Sequence, residues 1–378
     1  MCVRALVGRS MSMSARSPGL SGRIAEEIAS HGPMRFSRFM EMALYDPGEG
    51  YYASGKAGVG RDGDFFTNIS LGPIFGEILA SQFLEMWEIL GRPEDFTLVE
   101  QGANDGRLAA DVLDGLVGTP LAESRLILIE PFALLREKQQ ARLAGRRVEW
   151  VEAPEHLPNF TGVHFSNELF DALPFDIVKS HSGRWELQRV QFLDGAFSLK
   201  PAEVLDLDWP APSEDFVSEL RAGQRELLSA ISSRLQRGFL LAIDYGMTRE
   251  ELLAPHRSKG TLACYAAHRR DDDPFESIGE KDITAHVDFT ALAEDLRASG
   301  LEPAAYTDQH HFLVGAAERL LLSLDGQPPT ADTLKKLRSL RTLLHPETMG
   351  VQFKVLLASK GVSTPTISGF RHARALSF

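Results

Sequence analysis

Acidic side chains end four short apolar segments of this sequence. The segments occupy residues 96–100, 126–130, 163–168 and 239–244, and they end in Glu100, Glu130, Glu168 and Asp244. Continuous apolar runs of this length are typical of strands that are buried on both faces of a parallel sheet. Ligands bind beyond the carboxyl ends of such strands, so we expect the four carboxylates to gather around one cleft. Crowded like charges are costly, which favours a positively charged or donor-rich ligand.

A glycine turn follows the first of these segments. Gly102-Ala-Asn-Asp-Gly106 lies between the predicted strand and a helix that extends to about Val117. Gly102 permits a tight turn, and Gly106 lets the helix and a ligand approach the backbone. The glycine triplet of NAD-binding proteins and the lysine of P-loops are both absent, which favours a ligand without phosphates. S-adenosylmethionine is the natural candidate, with its amino-acid end at the turn and its ribose hydroxyls donating to Glu130. For the turn, the alternative is a tight strand–helix connection without a ligand. For Glu130, the alternative is a cap of the next helix, a common role of strand-end acids.

Composition restricts the class of protein. The chain has 378 residues, with 40 Lys+Arg against 52 Asp+Glu and a net charge of -12, which disfavours nucleic acid as a partner. Its apolar runs are too short to predict a membrane span. Cys2 and Cys264 cannot form a disulfide framework, no metal spacing is present, and a reducing compartment fits. Residues 1–23 are rich in Arg and Ser and contain no acid; this predicts either a disordered tail, with a cytoplasmic protein, or a transit peptide leading to the mitochondrial matrix.

The alternation of strand and helix patterns predicts a doubly wound α/β sheet. We predict helices at 24–44 (broken near Gly32-Pro33), 72–90, 132–144, 215–236 and 288–300, a strand at 148–151, a hairpin at 185–200 that turns at Asp194-Gly195, two closing antiparallel strands near 303–307 and 310–315, and a helical tail whose last piece is near 349–359. This divides the chain into a tail (1–23), an N-terminal helical region (24–95), a core (96–315) with an insertion at about 185–236, and a C-terminal helical region (316–378). The hairpin is a candidate contact surface for a homodimer.

Several stretches of this sequence resemble the MidA family of S-adenosylmethionine-dependent methyltransferases. They are residues 45–52 (Tyr-Asp-Pro-Gly-Glu-Gly-Tyr-Tyr), 63–67, 75–77, 98–106, 167–174 (Asn-Glu-Leu-Phe-Asp-Ala-Leu-Pro), 243–246, 282–289 and 349–355. The likeness covers about residues 24–360. It implies a Rossmann-like class I methyltransferase fold, mostly parallel with an antiparallel terminal strand, and S-adenosyl-L-methionine as cofactor. The family includes a mitochondrial complex I assembly factor that methylates an arginine of a protein, so an arginine in a protein substrate is the implied acceptor.

The resemblance also implies a set of cofactor-binding residues in which Asp64 and Thr67 form a lid. The full set is Asp64, Thr67, Glu100, Gly102, Asn104, Gly106, Glu130 and Asn167. Asn104 stands where the family usually has a glycine, and Asn is the residue that best tolerates a left-handed backbone in its place. Asp105 adds a negative charge, which is unfavourable unless it faces the ammonium group of the cofactor or caps the helix.

Glu168, Asp171 and His286 are the candidate catalytic residues. Methyl transfer from a sulfonium is an in-line displacement, and a guanidinium acceptor needs carboxylates that orient it and remove charge. Glu168 and Asp171 are three positions apart and would face the same way on a helical turn; a capping or surface pair is the alternative. His286 could relay a proton, although a lone histidine is more often structural. The competing function is a non-catalytic assembly or scaffold protein on the same fold; a NAD-dependent enzyme is disfavoured by the missing glycine triplet.

Overall fold

The computed structural model describes residues 18–55, 71–212, 215–266, 269–324, 330–345, 349–362 and 366–373. The lid predicted around Asp64 and Thr67, and most of the tail predicted at 1–23, lie outside these ranges. Within them, none of the helices is both long and apolar enough to cross a membrane, and no group of three or more potential ligands is arranged to hold a metal ion.

The helices and strands alternate along the chain. The helices are α1 (Leu20–His31), α2 (Phe36–Tyr45), α3 (Ile74–Ile89), α4 (Arg107–Gly115), α5 (Ala133–Arg142), α6 (Gln224–Arg234), α7 (Arg249–Leu252), α8 (Phe289–Ala298), α9 (Gln309–Ala316), α10 (Glu318–Leu324) and α11 (Ala331–Leu344). The strands are β1 (Met34–Arg35), β2 (Phe96–Gln101), β3 (Arg125–Ile129), β4 (Val148–Val151), β5 (Phe160–Asn167), β6 (Phe175–His181), β7 (Arg184–Leu193), β8 (Ala196–Leu205), β9 (Val217–Arg221), β10 (Leu235–Met247), β11 (Ala263–Ala266), β12 (Arg269–Asp271), β13 (Asp282–Thr284), β14 (Val287–Asp288), β15 (Glu302–Asp308) and β16 (Phe353–Lys360).

A central sheet organises the fold and confirms the doubly wound prediction. Its strand order is β15-β16-β10-β5-β2-β3-β4, and β14 pairs with the end of β10. The strands from β10 to β4 are parallel, whereas β16 runs antiparallel to both of its neighbours. Successive residues of a strand point to opposite faces of the sheet. Leu98 packs with α3 and α4 on one face, and Val99 packs with α6 and α8 on the other. Burial on both faces explains why these strands are continuously apolar.

The antiparallel strand comes from a part of the chain that the sequence analysis assigned to a helical tail. Residues 310–315, predicted as a strand, belong to α9, whose first turn is capped by the Asp308 carboxylate (2.9 Å to the His311 amide). Phe312, Leu313 and Ala316 of α9 enter the core at helical spacing. The partner of β15 is instead β16. Residues 353–360 therefore complete the sheet, and the helix predicted near 349–359 is wrong.

A second sheet is inserted between β5 and β10. It has the order β1-β7-β6-β9, with β8 paired to β7, and α1 and α2 pack against it. The predicted hairpin is confirmed: Asp194 (φ 52°) and Gly195 (φ 83°) form its turn. The helix predicted at 215–236 is corrected to β9 followed by α6, and α1 begins at Leu20, inside the predicted tail. A three-stranded sheet, β12-β11-β13, is formed by the part of the sequence between β10 and α8. The two inserted sheets therefore follow the carboxyl ends of β5 and β10.

Candidate active site

One cavity of about 1280 Å³ lies beyond the carboxyl ends of the parallel strands. Its wall near β2, β3 and β4 includes Gln101, Gly102, Asn104, Glu130, Phe132, Leu135 and Pro154. Its wall near β5 and β10 includes Tyr45, Tyr52, Asn167, Glu168, Asp171, Tyr245, Tyr265, Asp282 and His286. We refer to these as the glycine-turn half and the acidic half of the cavity.

The glycine turn adopts the backbone that its residues predict. Gly102, Asn104 and Gly106 have φ values of 80°, 48° and 78°, so the asparagine occupies the left-handed region as expected. The Asp105 carboxylate accepts from the Arg107 amide (3.1 Å) at the start of α4 and from Arg142 Nη2 (2.7 Å). Asp105 therefore caps the helix and is neutralised by an arginine, which removes the objection to a negative charge beside the turn.

The Glu130 side chain is anchored at the end of β3 by two neighbours. The Phe132 amide donates to Oε1 (3.0 Å), and Gln139 Nε2 donates to Oε2 (2.8 Å). Gln139 Nε2 also donates to the Asn104 carbonyl (2.8 Å), and its Oε1 accepts from Trp150 Nε1 (2.9 Å). Burial raises the pKa of Glu130, and these hydrogen bonds oppose that rise. Gln139 thus ties the glycine turn to the strand-end acid, a link that joins residues 35 apart in sequence.

The cleft does not collect all four strand-end carboxylates. Glu130 and Glu168 line the cavity, whereas Glu100 and Asp244 do not. Glu100 shares the strand face of Leu98, under α4, where burial and the neighbouring Asp105 and Asp111 raise its pKa to about 8. Gly106 also stays off the cavity wall and packs on α5, where a Cβ would lie 3.3 Å from Gln139 Cγ. The predicted cofactor contacts that do lie on the wall are Gly102, Asn104, Glu130 and Asn167.

Asp244 shapes the loop that follows β5. Its Oδ2 accepts from the amides of Leu169 (3.1 Å), Phe170 (2.8 Å) and Asp171 (3.4 Å). Glu168, the first residue of this loop, has a left-handed φ of 58°, a conformation that costs energy for a non-glycine residue and that the surrounding hydrogen bonds must maintain. The helical turn predicted for residues 168–171 is therefore wrong, yet this loop still directs Glu168 and Asp171 into the same cavity.

The acidic half holds three buried or largely buried carboxyl groups among tyrosines. Burial, with Asp171 and Asp282 nearby, raises the pKa of Glu168 to about 8, although Asn167 Nδ2 donates to its Oε1 (2.8 Å). Burial likewise raises the pKa of Asp171, against the opposing charge of Arg221. Asp282 accepts from the Tyr52 hydroxyl (2.8 Å). A region that disfavours several negative charges at once is suited to a cationic group.

His286 lines the same half of the cavity but is a poor proton acceptor. Burial, together with the positive charges of Arg257, Arg221, Arg270 and Lys354, lowers its pKa to about 4. Its Nδ1 makes no hydrogen bond within the described part of the chain. The imidazole is therefore neutral at physiological pH, which argues against the proton relay that the sequence suggested.

Two aromatic rings that the sequence analysis did not assign to the site connect the halves of the cavity. The Tyr45 ring stacks on Tyr52 (centroids 5.4 Å apart) and lies parallel to Phe132 (6.3 Å). The Tyr45 hydroxyl donates to the Ala172 carbonyl (2.8 Å). Tyr45 and Tyr52 belong to one of the quoted family-like stretches, so that motif was the signal that would have identified them. Gln139 had no such signal.

The glycine-turn half fits an adenosyl cofactor. Exposed backbone at Gly102 and Asn104 lies beside the cavity, the Glu130 carboxylate reaches its wall, and Phe132, Leu135 and Pro154 supply apolar surface. A carboxylate beside apolar surface can accept from the two ribose hydroxyls while the base contacts the side chains.

Comparisons with known proteins agree with this fit. The family described as "Putative S-adenosyl-L-methionine-dependent methyltransferase" matches residues 78–307. A COG1565 superfamily member from Burkholderia thailandensis, whose crystal structure contains bound S-adenosyl-homocysteine, is 31% identical to this chain. The two structures superpose with a TM-score of 0.83 over 94% of this chain and 95% of the Burkholderia chain.

Curated relatives also match over most of their length. The protein arginine methyltransferase NDUFAF7 homolog, mitochondrial, of Drosophila melanogaster is 27% identical, covering 91% of this chain and 85% of the relative. The protein arginine methyltransferase NDUFAF7, mitochondrial, of Homo sapiens is 26% identical, covering 86% of this chain and 80% of the relative.

Proposed function

This chain belongs to the S-adenosyl-L-methionine-dependent methyltransferase family that its residues 78–307 match, and we propose that the methyl acceptor is an arginine side chain of a protein substrate. The two mitochondrial relatives, both protein arginine methyltransferases, support an arginine acceptor. The observation that carries the proposal is the acidic half of the cavity, where Glu168, Asp171 and Asp282 line one space next to the glycine-turn half.

A guanidinium group suits this space for two reasons. Its planar fork donates to carboxylates in pairs, and it stays charged at every physiological pH. The pKa of Glu168, raised to about 8, shows that the cavity by itself disfavours another negative charge. A bound guanidinium would reverse that preference, because an opposite charge within a few ångströms favours the ionised carboxyl.

The residues of this chain would then orient the acceptor and take up its proton. The cofactor supplies an electrophilic methyl group on its sulfonium. Glu168 and Asp171 hold the guanidinium so that one nitrogen faces the glycine-turn half, which provides the in-line geometry of the displacement. As the new bond forms, that nitrogen must lose a proton. Glu168, which the bound guanidinium would keep ionised, is the carboxylate that we expect to accept it.

Labelling identifies the acceptor. The purified protein is incubated with cofactor carrying a radioactive methyl group and with a lysate, the labelled protein is hydrolysed, and its methylated amino acid is separated. We expect the label in methylarginine. In parallel reactions with the Glu168→Gln variant we expect no labelled methylarginine. Label in another amino acid would reject arginine. Cofactor binding without any labelled protein would instead favour the scaffold function.

A further inference from the structure

We propose that Arg221 is a positioning residue, through which the inserted sheet fixes the two backbone segments that carry the acidic half of the cavity. The segments are residues 168–174, which follow β5, and residues 282–287, which extend from β13 to the start of β14. Glu168 and Asp171 lie on the first, and Asp282 and His286 lie on the second. The assignment of these groups to acceptor binding rests on the proposed function, whereas the anchoring itself is a property of the fold.

The Arg221 guanidinium donates to four backbone carbonyls. Nε donates to the Phe170 carbonyl (2.7 Å) and Nη1 to the His286 carbonyl (2.9 Å). Nη2 donates to the carbonyls of Asp171 (3.4 Å) and Ala285. Two acceptors lie on each segment, so a single side chain joins them. The Ala285 amide also joins the two segments directly, because it donates to the Asp171 carbonyl (3.2 Å).

An acidic and a basic side chain hold the first segment from its two sides. Asp244 accepts from the amides of Leu169, Phe170 and Asp171. Arg221 donates to the carbonyls of Phe170 and Asp171. A carboxylate matches the amide side of a loop, and a guanidinium matches its carbonyl side, because each satisfies several backbone groups at once. This arrangement explains how Glu168 is kept in a left-handed conformation at the cavity wall.

The position of Arg221 links this anchor to the inserted sheet. Arg221 is the last residue of β9 and pairs with Phe175, the first residue of β6. Its guanidinium carbon lies 5.8 Å from the centre of the Phe175 ring. The side chain is thus fixed by strand pairing and by an aromatic ring before it reaches the loop. Lysine could not replace it, because one ammonium cannot present donors in the planar fork that meets four carbonyls on two segments.

The charge of Arg221 also acts on Asp171. Burial raises the pKa of Asp171, and Arg221 is the largest influence that lowers it. A hydrogen bond with Asp244 also lowers the pKa of Asp171. The other titratable groups around Asp171 would raise its pKa when ionised; they are Glu168, Asp282, Tyr45, Tyr52, Tyr245 and Tyr265. Removing the positive charge should therefore move the ionisation of Asp171 to higher pH, in addition to loosening the loop.

The test compares Arg221→Lys, which keeps the charge and loses the fork, with Arg221→Met, which loses both. Arg225→Lys is the matched control, because Arg225 lies nearby on α6, is 62% exposed at its side chain and pairs with Asp295. Amide hydrogen exchange is measured without any acceptor. We expect at least tenfold faster exchange in peptides covering 168–174 and 282–287 for both Arg221 variants, and unchanged exchange in peptides covering 125–151.

Kinetic readouts use whichever acceptor the labelling experiment identifies. For Arg221→Lys we expect a cofactor Kd within twofold of the natural protein, at least a tenfold lower kcat and an unshifted acid limb of the pH profile. For Arg221→Met we expect an acid limb that also moves to higher pH. Unchanged exchange in both segments, or exchange that accelerates equally in 125–151, would overturn the positioning role. A labelled residue other than arginine would reject the proposed acceptor and leave the exchange result standing.

Discussion

The substitution Glu168→Gln removes one titrating group from the cavity and changes little else. Glutamine has the same shape, and its side-chain oxygen can still accept from Asn167 Nδ2, which lies 2.8 Å from Glu168 Oε1. The natural side chain faces Asp171 and Asp282 in a site that burial makes unfavourable for a charge. The substitution therefore isolates the free energy that this carboxyl group contributes as its ionisation changes with pH.

The structure gives the sign and the upper limit of that contribution. The pKa of Glu168 rises from 4.5 to about 8 in the folded protein, and each pKa unit corresponds to about 1.4 kcal/mol. Because the folded-state pKa is the higher one, its stabilising contribution is complete below pH 4.5 and is lost as the pH rises through 8. Glu168→Gln should match the natural protein near pH 4.5 and exceed its free energy of unfolding by about 2–5 kcal/mol at pH 9.

Urea unfolding at pH 5, 7 and 9 measures this difference. Glu94→Gln, the same substitution at an exposed position, is the control. The Glu168→Gln variant should also bind the cofactor normally and lose methyl transfer. A difference in stability that does not grow with pH, or a variant that is less stable at pH 9, would refute the assignment of a raised pKa to this carboxyl group.

Three further predictions concern the cofactor side and the histidine. Glu130→Ala should weaken cofactor binding at least about a hundredfold in calorimetry, since two charge-assisted hydrogen bonds of roughly 1.5–3 kcal/mol each are lost. The surface variant Glu149→Ala should bind the cofactor normally. If Glu130→Ala binds the cofactor as tightly as the natural protein, Glu130 does not bind the ribose. Gln139→Leu should lower the free energy of unfolding by roughly 2–4 kcal/mol, because three polar partners lose their bond; denaturation midpoints equal to those of the natural protein would contradict this. The His286 resonances in proton NMR should show a neutral ring at every pH above about 5, because the pKa of this residue is lowered to about 4, and a transition near 6.5 would contradict the burial argument.

Local patterns predicted most elements of the sheet and the backbone of the glycine turn. The strands that end near Glu130 and Glu168 were recognisable because burial on both faces leaves a continuous apolar run. The left-handed Asn104 was predictable because few residue types tolerate that conformation. The family-like stretches that contain Tyr52 and Asp282 both reach the cavity, although the sequence analysis assigned neither residue to the site and did not predict the hydrogen bond that joins them.

Other features depend on distant parts of the chain. β16 was missed because its apolar residues fit a buried helix as well as a strand, and only its place between β10 and β15 decides between the two. Glu100 was misplaced because the sequence of a strand buried on both faces does not reveal which face meets the cavity.

The sequence by itself determined the parallel strands of the central sheet, where the backbone turns tightly and which family the chain resembles, because these depend on neighbouring residues and on short motifs. Only the tertiary structure decided which carboxyl groups share the cavity and what holds them there. Gln139 joins the glycine turn to Glu130, and Arg221 joins the two acidic segments. Both are single polar side chains that satisfy backbone groups far away in sequence, and such long-range bonds leave no periodicity that a local pattern could show.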